Sequence, residues 1–264
     1  MDFTRLKKLV VPEGTVKKVE IGGRTVWQAK IEYPSLGSSL TSAQSTAIRA
    51  GNFNKTPVGG YWTFNNIRYS YVNESNATVS DTYSGTMRVA DYDYYLNTGD
   101  TKLTTHHVVV VPDTPLYNAK MNDTSTTSGG YAGSKMRTVH LRRAEAIFKA
   151  CFGASHVLTH REYLVNTVMN GEESAGAWYD SVVELMDERM VLGDNGGAKT
   201  SLPSVSSKQL SLFKNDFSLI ISDNYYWLRN INGNQGFYLI YSTGNLAGFV
   251  ANFSLGVRPA ALIY

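Results

Sequence analysis

The chain has one cysteine, Cys151, among 264 residues, which excludes an intrachain disulfide and any metal centre built from several thiolates. Charge is sparse as well. Asp, Glu, Lys and Arg make up 18%, and the 25 basic and 22 acidic side chains are interspersed. The nearest approaches to a basic cluster are the pairs Lys7-Lys8, Lys17-Lys18 and Arg142-Arg143. A nucleic-acid surface needs a basic stripe or patch, so no nucleic-acid partner is expected. No apolar run approaches the ~18 residues of a membrane span, and membrane insertion is not expected. Val108-Val109-Val110-Val111 has the length of a short buried strand. Met1-Asp2-Phe3-Thr4-Arg5 carries neither the apolar stretch nor the small-residue cleavage site of a secretory leader, which implies synthesis in a cytoplasm without Sec export.

What the chain has is apolar residues for a core (42%), 17 Tyr, 23 Gly and abundant Asn. Such a composition builds surfaces from phenols and amides rather than ions. Strands and turns open the sequence: Leu6 to Pro12 reads as extended, Glu13-Gly14 as a turn, Val16 to Ile21 as a second strand, and Gly22-Gly23 as a hairpin turn into Arg24 to Ala29. So small a meander (1–33) is marginal alone; it is either the first sheet of the main domain or an attachment module. Ser35-Leu36-Gly37-Ser38-Ser39 reads as a linker. Thr41-x-x-Gln44 forms a capping box for a helix over 42–50 that ends at Gly51. Residues 58 to 96 suit several strands, with Asn73-Glu74-Ser75-Asn76 as a polar tip, and His107 to Val111 another strand stopped by Pro112.

The best helix runs from Ser134 to about Cys151, with Met136, Val139, Ala144, Ile147, Phe148 and Cys151 on one face and Gly153 after it. Cys151 on that face reads as a small buried hydrophobe. Thr159-x-x-Glu162 has the form of a second capping box, for a helix through about Met169. Residues 178–190 suit a helix (Trp178, Val182, Leu185, Met186, Met190) and equally a strand at Val182 to Met186. The last 45 residues read as short strands separated by Gly and Asn turns. Helices between strand-rich ends indicate an α+β fold.

No catalytic constellation stands out. His156-x-x-x-His160 has the spacing of two ligands on one helix, but the capping box at Thr159 leaves His156 outside it, and no metalloprotease signature surrounds the pair. His106 and His107 are neighbours on a strand and point to opposite sides. No Gly-x-Ser-x-Gly turn occurs. Gly129-Gly130-Tyr131-Ala132-Gly133 lacks the Lys-Ser/Thr of a phosphate loop and reads as a flexible turn. Glu172-Glu173 and Asp187-Glu188 read as solvated charges. A glycan or peptidoglycan hydrolase would have to draw on His156, His160 or a nearby carboxylate; the chain is not expected to be an enzyme, and no cofactor or metal is expected.

From Asn230 to Val257 there is no Asp, Glu, Lys or Arg. Asn, Tyr, Ser, Thr, Gln and Gly alternate there with Ile231, Phe237, Leu239 and Val250. Paratopes favour the same polar set, because Tyr gives rigid contact area and Asn and Ser adapt their hydrogen bonds. The composition equally suits an Asn/Gly-rich region closing a β domain. The flanks are more specific: Tyr226-Trp227-Leu228-Arg229 precedes the segment, and Gly256-Val257-Arg258-Pro259-Ala260 follows it. This pairing resembles the ligand-binding end of C-type-lectin-like domains in phage and prophage proteins, a group similar to the variable proteins of diversity-generating retroelements and, more distantly, to the formylglycine-generating-enzyme branch of that fold. His107 to Tyr117, His156 to Leu164 and the N-terminal meander ending in Val26-Trp27 also look like those phage relatives.

The resemblance implies a C-type-lectin-like domain over 34–264 behind an N-terminal β module (1–33), with a variable region at 222–258. It implies Asn230, Asn232, Asn234, Tyr238, Tyr241, Thr243, Asn245, Asn252 and Ser254 as ligand-binding positions, and Trp227, Arg229, Arg258 and Pro259 as scaffold. Its implied role is host recognition in a phage tail, with a cell-surface receptor (protein or glycan) and other virion subunits as partners, and a homotrimer as the assembly that would raise avidity. A virion decoration protein without a ligand is the alternative. Both arginines, if buried, need carbonyls or carboxylates for their donors. The formylglycine-generating chemistry needs paired cysteines, which Cys151 alone does not supply, and the Glu-Pro-Asn and Gln-Pro-Asp calcium loops of true lectins are absent from the segment. Diversification at template adenines predicts a near-copy of the 222–258 coding stretch beside a reverse-transcriptase gene; sequencing the flanking DNA checks this, and its absence would sink active diversification.

Overall fold

The computed structural model describes strand residues 9–11, 14–16, 18–21 and 24–28, and then residues 31–193, 202 and 208–264. It is a mixed α+β molecule that divides into two compact units, Met1–Tyr33 and Pro34–Tyr264.

The first unit holds two hairpins. Strands β1 (Leu9–Val11) and β2 (Gly14–Val16) pair antiparallel, as do β3 (Lys18–Ile21) and β4 (Arg24–Gln28). Gly14 is therefore the first residue of a strand and not part of a turn, and the single strand expected over 16–21 is divided between two hairpins. The expected turn at Gly22-Gly23 lies outside the described residues.

In the second unit, strand β5 (Ser35–Gly37) pairs in parallel with β6 (Tyr61–Val72), so the expected linker contributes an edge strand. Helix α1 (Ser42–Arg49) starts with the capping box read from the sequence: Gln44 N donates to Thr41 Oγ1 at 3.2 Å and Thr41 N to Gln44 Oε1 at 2.9 Å. Two long strands, β6 and β7 (Thr78–Tyr92), occupy most of the stretch expected to hold several short ones. Their tip is folded by Asn73, whose Oδ1 accepts from Ser75 N and Ala77 N. The remaining strands are β8 (Val108–Pro112), β9 (Tyr117–Ala119), β10 (His160–Met169), β11 (Glu172–Ser181), β12 (Val183–Leu185), β13 (Tyr226–Asn232), β14 (Gly236–Ile240), β15 (Leu246–Val250), β16 (Leu255–Val257) and β17 (Pro259–Ile263). Among the described residues, one sheet runs β12-β17-β8-β7-β6-β5, a second runs β15-β14-β13-β16-β9, and β10-β11 stand as a hairpin.

Both large sheets are buried on both faces at their centres. Val108 and Val110 enter one apolar cluster with Trp62, Phe148 and Trp227, whereas Val109 and Val111 enter another with Phe213, Tyr226 and Leu262. A strand covered on both sides reads as a continuous apolar run, which is why four valines stand in a row. Each fully buried Val contributes about 1.5–3 kcal/mol relative to exposure.

The central helix departs from regular periodicity. Met136–His140 form a π turn before α2 (Leu141–Phe152). The extra residue rotates the helix, so Leu141 follows Met136 into the core, and Val139, expected there, is only half-buried. Cys151 packs inside as expected, and burial pushes its thiol up to about 12.

The helix expected from Thr159 to Met169 is instead strand β10, paired with β11 from His160↔Ser181 to Met169↔Glu172. Burial alternates through its first residues (His160, Glu162 and Leu164 in), and the turn is Asn170-Gly171 with φ of 54° and 80°. That Asn-Gly pair is the strongest local hairpin signal, and it outweighs a capping-box pattern whose Glu162 is engaged elsewhere. Residues 178–190 combine both readings: β11 and β12, then α3 (Glu188–Leu192), capped by Asp187 Oδ1 accepting from Met190 N at 2.8 Å.

Arg258 joins the layers. It is 1% exposed, and Nε, Nη1 and Nη2 donate to the carbonyls of Pro112, Ile220 and Leu219 at 2.9, 3.1 and 2.8 Å. Its guanidinium also lies against Phe213 and Tyr226. Arg258→Leu removes the guanidinium donors from the Pro112 and Leu219 carbonyls, while Ile220 O keeps Tyr226 OH as a donor at 3.0 Å. At about 1–3 kcal/mol for each buried group left unpaired, chemical denaturation is expected to show a loss of at least ~2 kcal/mol, and a loss under ~1 kcal/mol would contradict this role.

Candidate ligand-binding face

The two flanking motifs of the ion-free segment lie side by side. Tyr226 pairs in parallel with Gly256, and Gly256 N donates to Tyr225 O at 2.9 Å. A Cβ on Gly256 would fall 2.6 Å from that oxygen, so only glycine permits the approach. Trp227 is fully buried and donates Nε1–H to Ala119 O at 3.0 Å; Pro259 is buried opposite Leu185. Residues 230–254 thus form an excursion whose ends are fastened together.

Within it, β13 and β14 are out of step. Pairing passes from Trp227↔Leu239 to Ile231↔Phe237, so Leu228, Arg229 and Asn230 stand against the single residue Tyr238. The bulge carries Arg229 into a buried ion network. Nη1 donates to Glu162 Oε2, Nη2 to Asp187 Oδ2 at 3.0 Å, and Glu162 Oε1 meets His160 Nε2 at 2.7 Å. A neighbouring buried carboxylate, Glu184, accepts from Tyr131 OH, Arg137 Nε and Ser181 Oγ. Arg229 is therefore served by carboxylates and Arg258 by carbonyls. Asp187, read as a solvated charge, is buried and serves both as helix cap and counter-ion; Glu188 is buried too.

The histidines do not form a common site. His156 Nδ1 lies 2.7 Å from Tyr264 O and 3.2 Å from Ser45 Oγ, away from the His160–Glu162 pair. His160 opens a strand where a first helical turn was expected. His106 and His107 precede β8 and do not lie on opposite faces of a strand: His106 Nδ1 is 2.7 Å and His107 Nδ1 3.9 Å from the two carboxylate oxygens of Asp93, and the His107 ring, fully buried, also accepts from Tyr95 N. Among the described residues no group of three or more His, Cys, Asp and Glu is arranged to hold a metal ion.

The nine expected ligand positions separate. Asn230 leaves the surface: it is 8% exposed and its Oδ1 accepts from Glu188 N at 2.8 Å, the bulge having turned it inward. Asn232 is half-buried with its amide over Gly248, where a Cβ would meet Nδ2 at 1.0 Å. Tyr238 sits mid-strand, half-buried against the second apolar cluster. Tyr241, Thr243 and Asn245 lie in the loop after β14. There Tyr241 packs edge-on to Tyr225 with centroids 4.6 Å apart, and Asn245 Nδ2 donates to Thr243 Oγ1. At the other end of the hairpin, Asn234 is exposed in the β13–β14 turn, and Asn252 and Ser254 follow β15.

This second end is the better assembled. Thr127 N and Oγ1 bind the carbonyls of Asn234 and Gly233, Ser125 Oγ donates to Asn252 Oδ1 at 3.0 Å, and Asn122 N donates to Ala251 O. The β10–β11 tip abuts the same turn, since a Cβ on Gly171 would lie 3.0 Å from the Gly233 Cα. Exposed Phe253 stands there, edge-on to Phe249 at 4.7 Å. Beside Ser254 opens a cavity of about 400 Å³, lined among others by Tyr71, Tyr117, Asn118, Lys120, His140 and Arg143. The sequence reading missed these residues because they come from three distant segments; the Tyr69-Ser70-Tyr71 alternation was the one local hint.

No family profile, curated protein or solved structure matches this chain.

Burial works to raise the pKa of Glu162, but the Arg229 guanidinium and the His160 hydrogen bond outweigh it and hold the carboxyl at about 2. A depressed carboxyl pKa stabilises the fold above the unfolded value of 4.5 and loses that contribution as pH falls through the folded value. Glu184, raised by burial, acts with the opposite sign. The difference between wild type and Glu162→Gln isolates the first effect: about 3 kcal/mol of differential stability is expected to disappear between about pH 4.5 and 2. Parallel pH–denaturation curves would refute it.

Proposed function

We propose that this is a host-recognition protein of a phage or prophage tail, in which residues 34–264 form a C-type-lectin-like domain that binds a cell-surface ligand and residues 1–33 form an attachment module. The observation that carries this reading is the fastening of the Trp227-Leu228-Arg229 and Gly256-Val257-Arg258-Pro259 flanks as neighbours, with an uncharged excursion between them whose turns are exposed. A rigid base with exposed loops is how binding surfaces are commonly built. The exposed groups at the better assembled end are amides, hydroxyls and the Phe253 ring, a composition suited to adaptable recognition.

The ligand face on this reading is narrower than the segment. Asn234, Asn252, Ser254 and Phe253 form it together with the 122–128 loop, while Asn230 and the buried residues of β13 and β14 hold it in place. Thr243, Asn245 and Tyr241 belong to the far end of the hairpin and are not required to touch the same ligand.

Virion decoration is tested directly. In the full chain, Asn234→Ala with Phe253→Ala is expected to lower binding to a recognised bacterial strain by about tenfold or more, with an unchanged unfolding midpoint, because exposed anchors carry binding without carrying the fold. Unchanged binding by this variant would favour decoration or an interface elsewhere.

A further inference from the structure

The cavity beside Ser254 has a wall that is already organised. The Arg143 guanidinium lies over the rings of Tyr117, Tyr71 and Tyr69 at 4.7, 5.6 and 6.0 Å from their centroids. It is fixed by Nε donating to Tyr69 OH at 2.9 Å and Nη2 to Asp81 Oδ2 at 2.8 Å. Tyr117 OH donates to His140 O at 2.7 Å. Two tyrosines are thus held at the cavity with little freedom left to lose when a ligand arrives.

The helix backbone contributes to the same place. The π turn at Met136–His140 brings Val139 and His140 to the cavity lining and leaves Met136 and Leu141 to the core. Single π turns inside helices recur at functional sites, and here the irregularity supplies an imidazole to the cleft. Burial first, and then nearby Lys135, lower the pKa of His140, so at neutral pH it offers one N–H donor and one nitrogen acceptor. Among the described residues, no side-chain hydrogen bond or ion pair engages that imidazole.

The charges of the cavity are unequally satisfied. Lys135 Nζ bridges Glu74 at 2.5 Å and Asp123 at 2.7 Å, and Arg143 is paired with Asp81. Lys120, exposed at the rim, has no carboxylate of the described residues within 4 Å. Asn118 and Ser254 add an amide and a hydroxyl. Asp123, bridged by Lys135, feels the Lys120 charge only through space, so fixed aromatic surface, a neutral donor–acceptor imidazole, amides, hydroxyls and one ammonium outside any close ion pair are the complement of a polyhydroxylated ring carrying a carboxylate. The volume stands near the lower end of the roughly 300–1,000 Å³ of small-ligand cavities, suited to a short saccharide.

We infer that this cavity, built by Tyr71, Tyr117, Lys120, His140 and Ser254, is a subsite for an acidic sugar residue of a cell-surface glycan, with Lys120 facing the carboxylate. The inference rests on the host-recognition reading for its biological setting and on the cavity alone for its chemistry.

Saturation-transfer NMR and titration calorimetry on the full chain, with oligogalacturonate, oligosialate and neutral galacto-oligosaccharide as probes, test it. At least one acidic probe is expected to bind, more weakly as salt rises, and to prefer the protein over the neutral probe. Lys120→Glu is expected to weaken that binding about tenfold or more without moving the unfolding midpoint, since a rim charge acts on the ligand and not on the fold. Tyr71→Ala is expected to weaken acidic and neutral probes alike. Silence from both acidic probes at millimolar concentration, or Lys120→Glu binding as well as wild type, overturns the proposal. Cell binding separates the two readings: if it is lost in the Asn234/Phe253 variant but kept in Lys120→Glu, recognition stands and the cavity falls. If wild-type protein binds an acidic probe but no cells, the cavity stands and recognition falls.

Discussion

Three segments far apart in sequence meet on the guanidinium of Arg229. Glu162 comes from the first strand of a hairpin, Asp187 from the cap of a short helix, and Arg229 from a bulge in the strand leading into the ion-free segment. Buried ions are costly unless each finds partners, and removing one member of such a set commonly costs about 3–5 kcal/mol. The network therefore fixes the bulge, and the bulge fixes the register of β13 against β14. The turn at 233–235 and the loop at 251–254 inherit their positions from that register, as does the inward orientation of Asn230.

The second constraint is burial on both faces. β13 and β14 send Trp227, Ile231, Phe237 and Leu239 into one apolar cluster and Tyr226, Leu228 and Ile240 into the other. Charged side chains have no place in such strands without partners. The lack of Asp, Glu, Lys and Arg between 230 and 257 thus has two separate causes: interior strands that exclude ions, and exposed turns made of amides, hydroxyls and aromatics. On the recognition reading proposed above, only the second bears on binding. Where ions do enter the interior they are met by polar partners: Arg229 by two carboxylates, Arg258 by three carbonyls, and Glu184 by two hydroxyls and the Arg137 guanidinium.

Local chemistry was legible wherever a short stretch of chain decides its own conformation. The Thr41–Gln44 box, the Asn73 tip, the helix ending before Gly153 and the burial of Cys151 all follow from neighbours in sequence. Thr159-x-x-Glu162 misled because Glu162 had a stronger partner out of view, while the Asn170-Gly171 turn a few residues later carried the correct signal. Val139 misled because nothing in an apolar periodicity announces a π turn.

The sequence by itself determined the α+β composition, the short strands near the C-terminus, the need for partners around two arginines and the uncharged character of residues 230–257, because these depend on residue type and near-neighbour geometry. Only the tertiary structure decided which of those uncharged residues face water, that the two flanking motifs lie adjacent, and that Tyr71, Tyr117, Lys120 and His140 share one cavity. Such facts depend on strand register and on long-range ion pairing, and a shift of one residue in register sends every side chain of a strand to its other face.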